Sequence, residues 1–269
     1  MWQAWKHSTR RALVISYHGF RLPCYPDSRQ ASSAIYFNGW PDFWEMRFVA
    51  DYLKSGDCFL DVGANIGLYS LLAASVVGYG GRIIAFEPGQ VPERRIRETC
   101  AKNRLENVQI IGSAVGERTG EIPFDAGNED AISHVAAAGE TFDSRVPVTR
   151  LDDFLDGSPI AMAKLDIEGY EPFALRGMSR HLADGNPPVL LIEAAGYSKR
   201  YGIETHDFMR EIERWNYQPM IYDPGKRELI RADSHWKLGV TNVLCVCREA
   251  HGFVEKRIAH AGEKAKFPS

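Results

Sequence analysis

The strongest constraint on the fold is an alternation of short apolar runs with helical segments. "CFLDV" (58–62), "GRIIAFEP" (81–88), "NVQIIGSAV" (107–115), "IAMAKLDI" (160–167) and "PPVLLIEA" (187–194) are each almost continuously apolar. A strand apolar on both sides of its pleat must be covered on both faces, as in a parallel sheet with crossover helices. The helices come from "GLYSLLAASVV" (67–77), "PERRIRETCAKNRL" (92–105), "YEPFALRGMSRHL" (170–182) and "THDFMREIERWNY" (205–217), the last with Thr205 or Asp207 as cap. "PDFWEMRFVADYL" adds a helix before the first strand. Pro41 is at its start, Phe43, Met46, Ala50 and Leu53 form an apolar face, and Gly56 lies beyond its end. "YQPMIYDP" and "TNVLCVCRE" have no helix between them and are expected to pair antiparallel. The expected product is a single doubly wound α/β domain over 41–250 that ends in an antiparallel strand pair. An irregular N-terminal extension (1–40) and a C-terminal tail (251–269) flank it. The stretch 116–150 is weakly patterned: a small hairpin at "GERTGEIPFD", loop composition to 145, then "VPVTRLDDFL" running into a helical turn.

Charge and cysteine usage exclude several classes. A net charge of −3 argues against a broad basic surface for nucleic acid. Five scattered cysteines are not a disulfide framework, and Cys245 and Cys247, at period two, read as one apolar face of a buried strand. No run approaches the about 18 apolar residues that span a bilayer. "ALVI" near the N-terminus is too short for a signal-peptide core, so the expected location is cytoplasmic. Trp2, Trp5, Arg10 and Arg11 leave room only for weak peripheral membrane contact.

"DVGANIG" (61–67) sits where a doubly wound sheet binds its ligand, between the first strand and its helix. Its spacing is G-x-N-x-G, whereas a pyrophosphate needs the open backbone of G-x-G-x-x-G. Asn65 stands where that openness would be required, and Asp61 would repel an anion but pair with an amine. An acid on one side and backbone amides on the other suit the methionine end of S-adenosylmethionine. Glu87, twenty residues beyond Gly67, is placed to accept hydrogen bonds from ribose hydroxyls. That feature is shared with dinucleotide enzymes, but the glycine spacing and Asp61 favour adenosylmethionine over NAD.

"KLDIEGYE" (164–171) leaves the fourth strand toward the same edge. At period two Lys164, Asp166 and Glu168 share a face, which must open onto a polar cavity or hold a compensated network. A carboxylate here suits removal of a proton from an attacking hydroxyl, with Lys164 keeping a neighbouring carboxylate ionised or orienting the substrate. Glu193 ends the adjacent strand, so Asp166, Glu168 and Glu193 could also hold a divalent ion such as magnesium, although a metal-free site is preferred. His134 is a second candidate base, in a segment expected to cross above the site. His181, His206, His235, His251 and His260 lack partners at ligand spacing and are expected on the surface.

These blocks, from "FLDVGANIGLYSLLAA" through "AKLDIEGYEPFALRGM" to "PPVLLIEA", resemble the FkbM family of S-adenosylmethionine-dependent methyltransferases over about residues 45–195. The resemblance implies the class I methyltransferase (Rossmann-like) fold, a doubly wound seven-stranded sheet with one antiparallel strand near the C-terminus. It implies Asp61, Gly63, Ala64, Asn65 and Gly67 at the methionine end, Glu87 and Pro88 at the ribose, and Ser113 and Ala114 near the adenine. Asp166 and Glu168 would face the methyl group, and Glu45 would close over the cofactor. The implied activity is O-methylation of a hydroxyl on a sugar, glycan or secondary metabolite, with a small-molecule or glycan partner. The alternatives are N-methylation or methylation of protein or RNA, a non-catalytic adenosylmethionine-binding partner subunit, and, more distantly, an NAD-linked oxidoreductase.

Overall fold

A computed structural model of the chain describes residues 12–26, 28, 40–127, 133–232 and 242–260. A hairpin of β1 (Leu13–Tyr17) and β2 (Phe20–Cys24) precedes helix α1 (Phe43–Tyr52). Next come β3 (Cys58–Val62), α2 (Leu68–Val77), β4 (Arg82–Phe86), α3 (Gln90–Asn103) and β5 (Val108–Ile111). The middle holds β6 (Ala114–Val115), β7 (Gly120–Asp125), β8 (His134–Val135), β9 (Ser144–Thr149) and the short α4 (Leu151–Phe154). Then follow β10 (Met162–Leu165), α5 (Glu171–Arg176), α6 (Ser179–Ala183), β11 (Val189–Glu193) and α7 (Thr205–Arg214). The last elements are β12 (Tyr217–Asp223), β13 (Glu228–Arg231), β14 (Asn242–Cys247) and α8 (His251–Ala259).

The main sheet has the order β13–β12–β14–β11–β10–β3–β4–β5. Its five central and distal strands, β11, β10, β3, β4 and β5, run parallel. β14 lies antiparallel to β12, as the sequence pattern predicts, and also to β11. The chain steps outward from β3 to β5 and then returns to β10, so the direction of winding switches between β3 and β10. This is the class I methyltransferase arrangement, with one difference. The expected seven strands are joined by an eighth, β13, antiparallel to β12, so two strands oppose the rest. β13 is a short, charged edge strand with Leu229 as its one buried residue, and it gives no apolar run to read.

Successive strand residues feed two cores. Phe59, Ile83, Ala85, Val189 and Leu191 face the layer that contains α1, α2, α3 and α8. Leu60, Ile84, Phe86, Leu190 and Ile192 face α5, α6 and α7, and Cys245 and Cys247 share this second face, buried and unpaired. Gly177 separates α5 from α6, which divides the single helix expected over 170–182.

Other expectations change. Residues 13–24 form a hairpin rather than an irregular extension: His18 and Gly19 at its tip both have positive φ (48° and 85°), and Tyr17 and Leu22 are buried. The C-terminal segment includes α8, whose Val254 and Ile258 are in the first core. Of the apolar face predicted for α1, Met46 and Leu53 are buried and Ala50 packs against the first core, but Phe43 is 43% exposed, and Val49 and Tyr52 are buried beside them. Neither Thr205 nor Asp207 caps α7; Glu204 occupies that position without a side-chain bond. His181 is buried, with Nδ1 3.0 Å from Asp152 Oδ1, instead of lying on the surface. The predicted hairpin at 116–125 is part of a four-stranded sheet, β6–β9–β7–β8. Trp2, Trp5, Arg10, Arg11 and His235 lie outside the described residues.

Candidate active site

A cavity of about 330 Å³ opens beyond the carboxyl ends of β3, β4, β10 and β11, at the switch in winding direction. Val62, Gly63, Asn65 and Leu68 form one wall, Glu87 and Pro88 the next, and Ser113 and Ala114 a third. Asp166, Ile167, Glu168, Tyr170 and Glu193 lie opposite, and Phe124, Ser133, His134 and Val135 bring the second sheet to the rim. Most of the predicted residues therefore converge. Asp61, Ala64, Gly67, Lys164 and Glu45 do not line this cavity; in place of Glu45, Pro41 and Asp42 reach it from just before α1.

The loop geometry explains the spacing of "DVGANIG". Gly63 (φ 84°) and Gly67 (φ 90°) take left-handed conformations, and Asn65 does so at φ 49°. A Cβ on Gly63 would stand 1.9 Å from the Asp166 carbonyl oxygen, and one on Gly67 would strike Ile96 of α3 at 2.7 Å. Close packing against β10 and α3 thus requires both glycines. The Gly63 and Ala64 amides donate to the Phe86 carbonyl (2.9 and 3.0 Å), and the Gly67 amide to Ala64. The Asn65 amide donates to Glu87 Oε2 at 2.8 Å, and the Gly89 amide to Glu87 Oε1 at 2.8 Å. The predicted amide cradle is therefore not the loop itself. The first turn of α2, starting at cavity-lining Leu68, is the face left with backbone donors.

Glu87 is 4% exposed, and burial pushes its carboxyl up to about 7 against the pull of the two amides. Each of its oxygens retains a lone pair for a hydroxyl donor. Ser113 Oγ is engaged by the second sheet, 3.0 Å from Pro147 O and 2.8 Å from Thr149 Oγ1.

Asp61 and Lys164 are partners across β3 and β10, buried beneath α2. Lys164 Nζ lies 2.7 Å from Asp166 Oδ2 and 4.5 Å from the centre of the Tyr69 ring. Burial opposes its charge, but Asp166 and Asp61 outweigh it and hold the ammonium pKa above its ordinary value. Lys164 is thus a fixed cation that neutralises two carboxylates. Asp61 accepts from Ser70 Oγ at 2.6 Å through Oδ2, while its Oδ1 is buried without a partner, an open acceptor at the base of the loop.

β10 ends at Leu165, so Glu168 does not share the face by strand periodicity. A turn brings it there, with φ 58° at Glu168 and 101° at Gly169. Oxygen atoms of Asp166, Glu168 and Glu193 all lie within 4.8 Å of one another. Glu168 Oε2 and Glu193 Oε2 are buried with no hydrogen-bond partner. Burial, then Asp166, raises the Glu168 carboxyl to about 7. Burial and the neighbouring Asp166, Glu168 and Glu171 push Glu193 further up, so it is protonated at neutral pH. Asp166 is paired with Lys164, and Glu168 brings to the same end of the cavity a carboxyl near 7 with an open oxygen. His134 lines the cavity, with Nε2 3.5 Å from Glu140 at the rim. Tyr201, in a 3₁₀ turn over Tyr197–Tyr201, donates to the Val135 carbonyl at 2.6 Å and ties that rim to the wall after β11. Asp42 is the N-cap residue of α1, a helix read from the sequence, but nothing local shows that this helix start reaches the cavity, and Tyr201 comes from a segment without a pattern of its own.

The family profile described as the methyltransferase FkbM domain matches residues 61–219. Among solved structures, the chain is similar to the methyltransferase FkbM from Methylobacillus flagellatus KT, at 19% identity and a TM-score of 0.49, covering 91% of this chain and 57% of that one. It is also similar to an S-adenosylmethionine-dependent O-methyltransferase from Thermotoga maritima (14% identity, TM-score 0.43, 76% of this chain and 65% of that one). Fibrillarin from Aeropyrum pernix, in complex with S-adenosylmethionine, is similar at 14% identity and TM-score 0.43, over 87% of this chain and 82% of that one. The chain thus spans less than two thirds of the length of the first two. No curated protein is a detectable relative.

Proposed function

Because the chain belongs to the methyltransferase FkbM family, we propose that it transfers a methyl group from S-adenosylmethionine to a hydroxyl of a sugar, glycan or secondary metabolite. The observation that carries this reading is the pairing, across one cavity, of Glu87 with an unpartnered Glu168 carboxylate oxygen. The residues fit the cofactor. Glu87 accepts from the ribose hydroxyls and the first turn of α2 offers amides to the carboxylate, while Asp61, buried beneath α2, does not reach the cavity. Bound there, the cofactor supplies an electrophilic methyl group. Glu168, poised near neutrality, takes the proton of the acceptor hydroxyl, and Asp166 with Lys164 fixes the charge beside it. The remaining contribution is alignment of the acceptor oxygen.

Amine methylation is a second reading, favoured by one observation: among the described residues no lysine or arginine lines the cavity, whereas Asp42, Glu87, Asp166, Glu168 and Glu193 do. The same acidic wall disfavours a nucleic-acid acceptor. Among the described residues no helix is long and apolar enough to cross a membrane, and the unpaired cysteines support placement in the cytoplasm.

Calorimetric titration tests the cofactor. S-adenosylmethionine and S-adenosylhomocysteine should bind with micromolar affinity and NADH should give no heat; NADH binding with silence from both adenosyl ligands would overturn the reading. Turnover is read as S-adenosylhomocysteine release against a panel of sugars, hydroxylated metabolites and amines. Glu168→Gln should keep cofactor binding and lose release.

A further inference from the structure

Glu168 stands in a conformation that L-residues avoid, because the left-handed region crowds Cβ against the following carbonyl. Such a residue persists only where its surroundings over-determine it. Gly169 next to it is pressed against the neighbouring wall, since a Cβ there would lie 2.4 and 2.6 Å from the Tyr197 carbonyl carbon and oxygen. One side chain holds both sides of the turn. Glu171 Oε1 accepts from the Ile167 amide at 2.9 Å and from the Gly169 amide at 3.2 Å, the two amides that flank Glu168. Glu171 is 1% exposed, does not line the cavity, and opens α5, whose Ala174 and Leu175 are buried in the second core.

We propose that Glu171 is the positioning residue for Glu168: by holding the amides at 167 and 169 it locks the left-handed turn and presents the Glu168 carboxylate to the cavity. The inference rests on the reading of Glu168 as the proton acceptor. Burial raises the Glu171 carboxyl to about 8, so at neutral pH it works largely as a neutral acceptor of two hydrogen bonds. A carboxamide of the same shape can accept the same two bonds, whereas an alanine cannot, and an aspartate is one methylene too short.

The test follows the titration of Glu168 by carboxyl ¹³C NMR, with the resonance assigned by its loss in Glu168→Gln. Wild type and Glu171→Gln should titrate near 7, while Glu171→Ala and Glu171→Asp should fall toward the ordinary 4.5 as the turn relaxes into water. S-adenosylhomocysteine affinity should stay within about threefold in all of them, since no cofactor contact is touched. An unchanged Glu168 titration in the alanine and aspartate variants, or a glutamine variant that behaves like alanine, overturns the proposal. If the alanine variant does not fold, the aspartate and glutamine pair decides. Failure of the wild type to bind S-adenosylhomocysteine would refute the methyl-transfer reading and leave the titration result readable.

Discussion

Replacing Lys164 by Met removes a buried cation from the strand end and leaves Asp61 and Asp166 without their shared counter-charge. Lys164 is 3% exposed and Asp61 fully buried, so solvent does not take over the neutralisation. Removing one partner of a buried pair costs about 3–5 kcal/mol, because the charge left behind is uncompensated. Loss of the ammonium above the Tyr69 ring adds about 1 kcal/mol. A total of about 4–6 kcal/mol is a large part of the about 5–15 kcal/mol that holds a typical domain folded. Urea unfolding of Lys164→Met at neutral pH should show that loss. The pH dependence carries the sign. Burial already raises the Asp61 pKa and Lys164 lowers it, so without the lysine the folded-state pKa climbs further above the unfolded one. The native variant then binds a proton that the unfolded chain does not, and stability lost above the folded pKa returns as pH falls. The deficit should therefore shrink as pH falls from neutrality into the acid range, and Lys164→Met/Asp61→Asn should be more stable than Lys164→Met alone by about 1–3 kcal/mol at neutral pH. A pH-independent cost below about 1 kcal/mol, with no coupling to Asp61, would refute the claim that this network neutralises the strand end.

Glu87→Ala should weaken S-adenosylhomocysteine binding about 10- to 100-fold by calorimetry, the loss of charge-assisted bonds to the ribose, while the unfolding transition stays cooperative. Stability should also decline as pH rises from about 4.5 to 8, because Glu87 and Glu168 (each about 7) and Glu171 (about 8) sit above their ordinary 4.5 in the folded state. Raised carboxyl pKa values stabilise below the unfolded value and lose that contribution through the folded one, so urea melts at the two ends of this window check the sign. Magnesium added after dialysis against a chelator should leave the melting temperature and cofactor affinity unchanged; a magnesium-dependent rise would assign Asp166, Glu168 and Glu193 to a metal.

The fold was largely legible because its information is periodic. Nearly continuous apolar strands, and the lack of a helical sequence pattern between "YQPMIYDP" and "TNVLCVCRE", dictate a covered parallel sheet with a reversed strand near its end. Elements without that signal escaped: β13 is a charged edge strand with a single buried residue, and the hairpin β1–β2 announces itself only through alternation around His18–Gly19. The second sheet is assembled from pieces as short as two residues, below the length at which a period can be read.

The site was legible by position and less so by cause. "DVGANIG" marks the ligand edge, but Gly63 and Gly67 are fixed by contacts with Asp166 and Ile96, across the fold. The pairing of Asp61 with Lys164 depends on the register of β3 against β10, a long-range fact that no local pattern encodes. Period two grouped Lys164, Asp166 and Glu168 correctly for the first two and by coincidence for the third, since the strand ends at Leu165 and a left-handed turn carries Glu168. The consequence is chemical. A residue on a strand inherits its direction from the sheet, whereas one in a strained turn depends on whichever groups hold that turn. The acid least conspicuous in "KLDIEGYE", Glu171, makes the two hydrogen bonds on which the placement of the most reactive one depends.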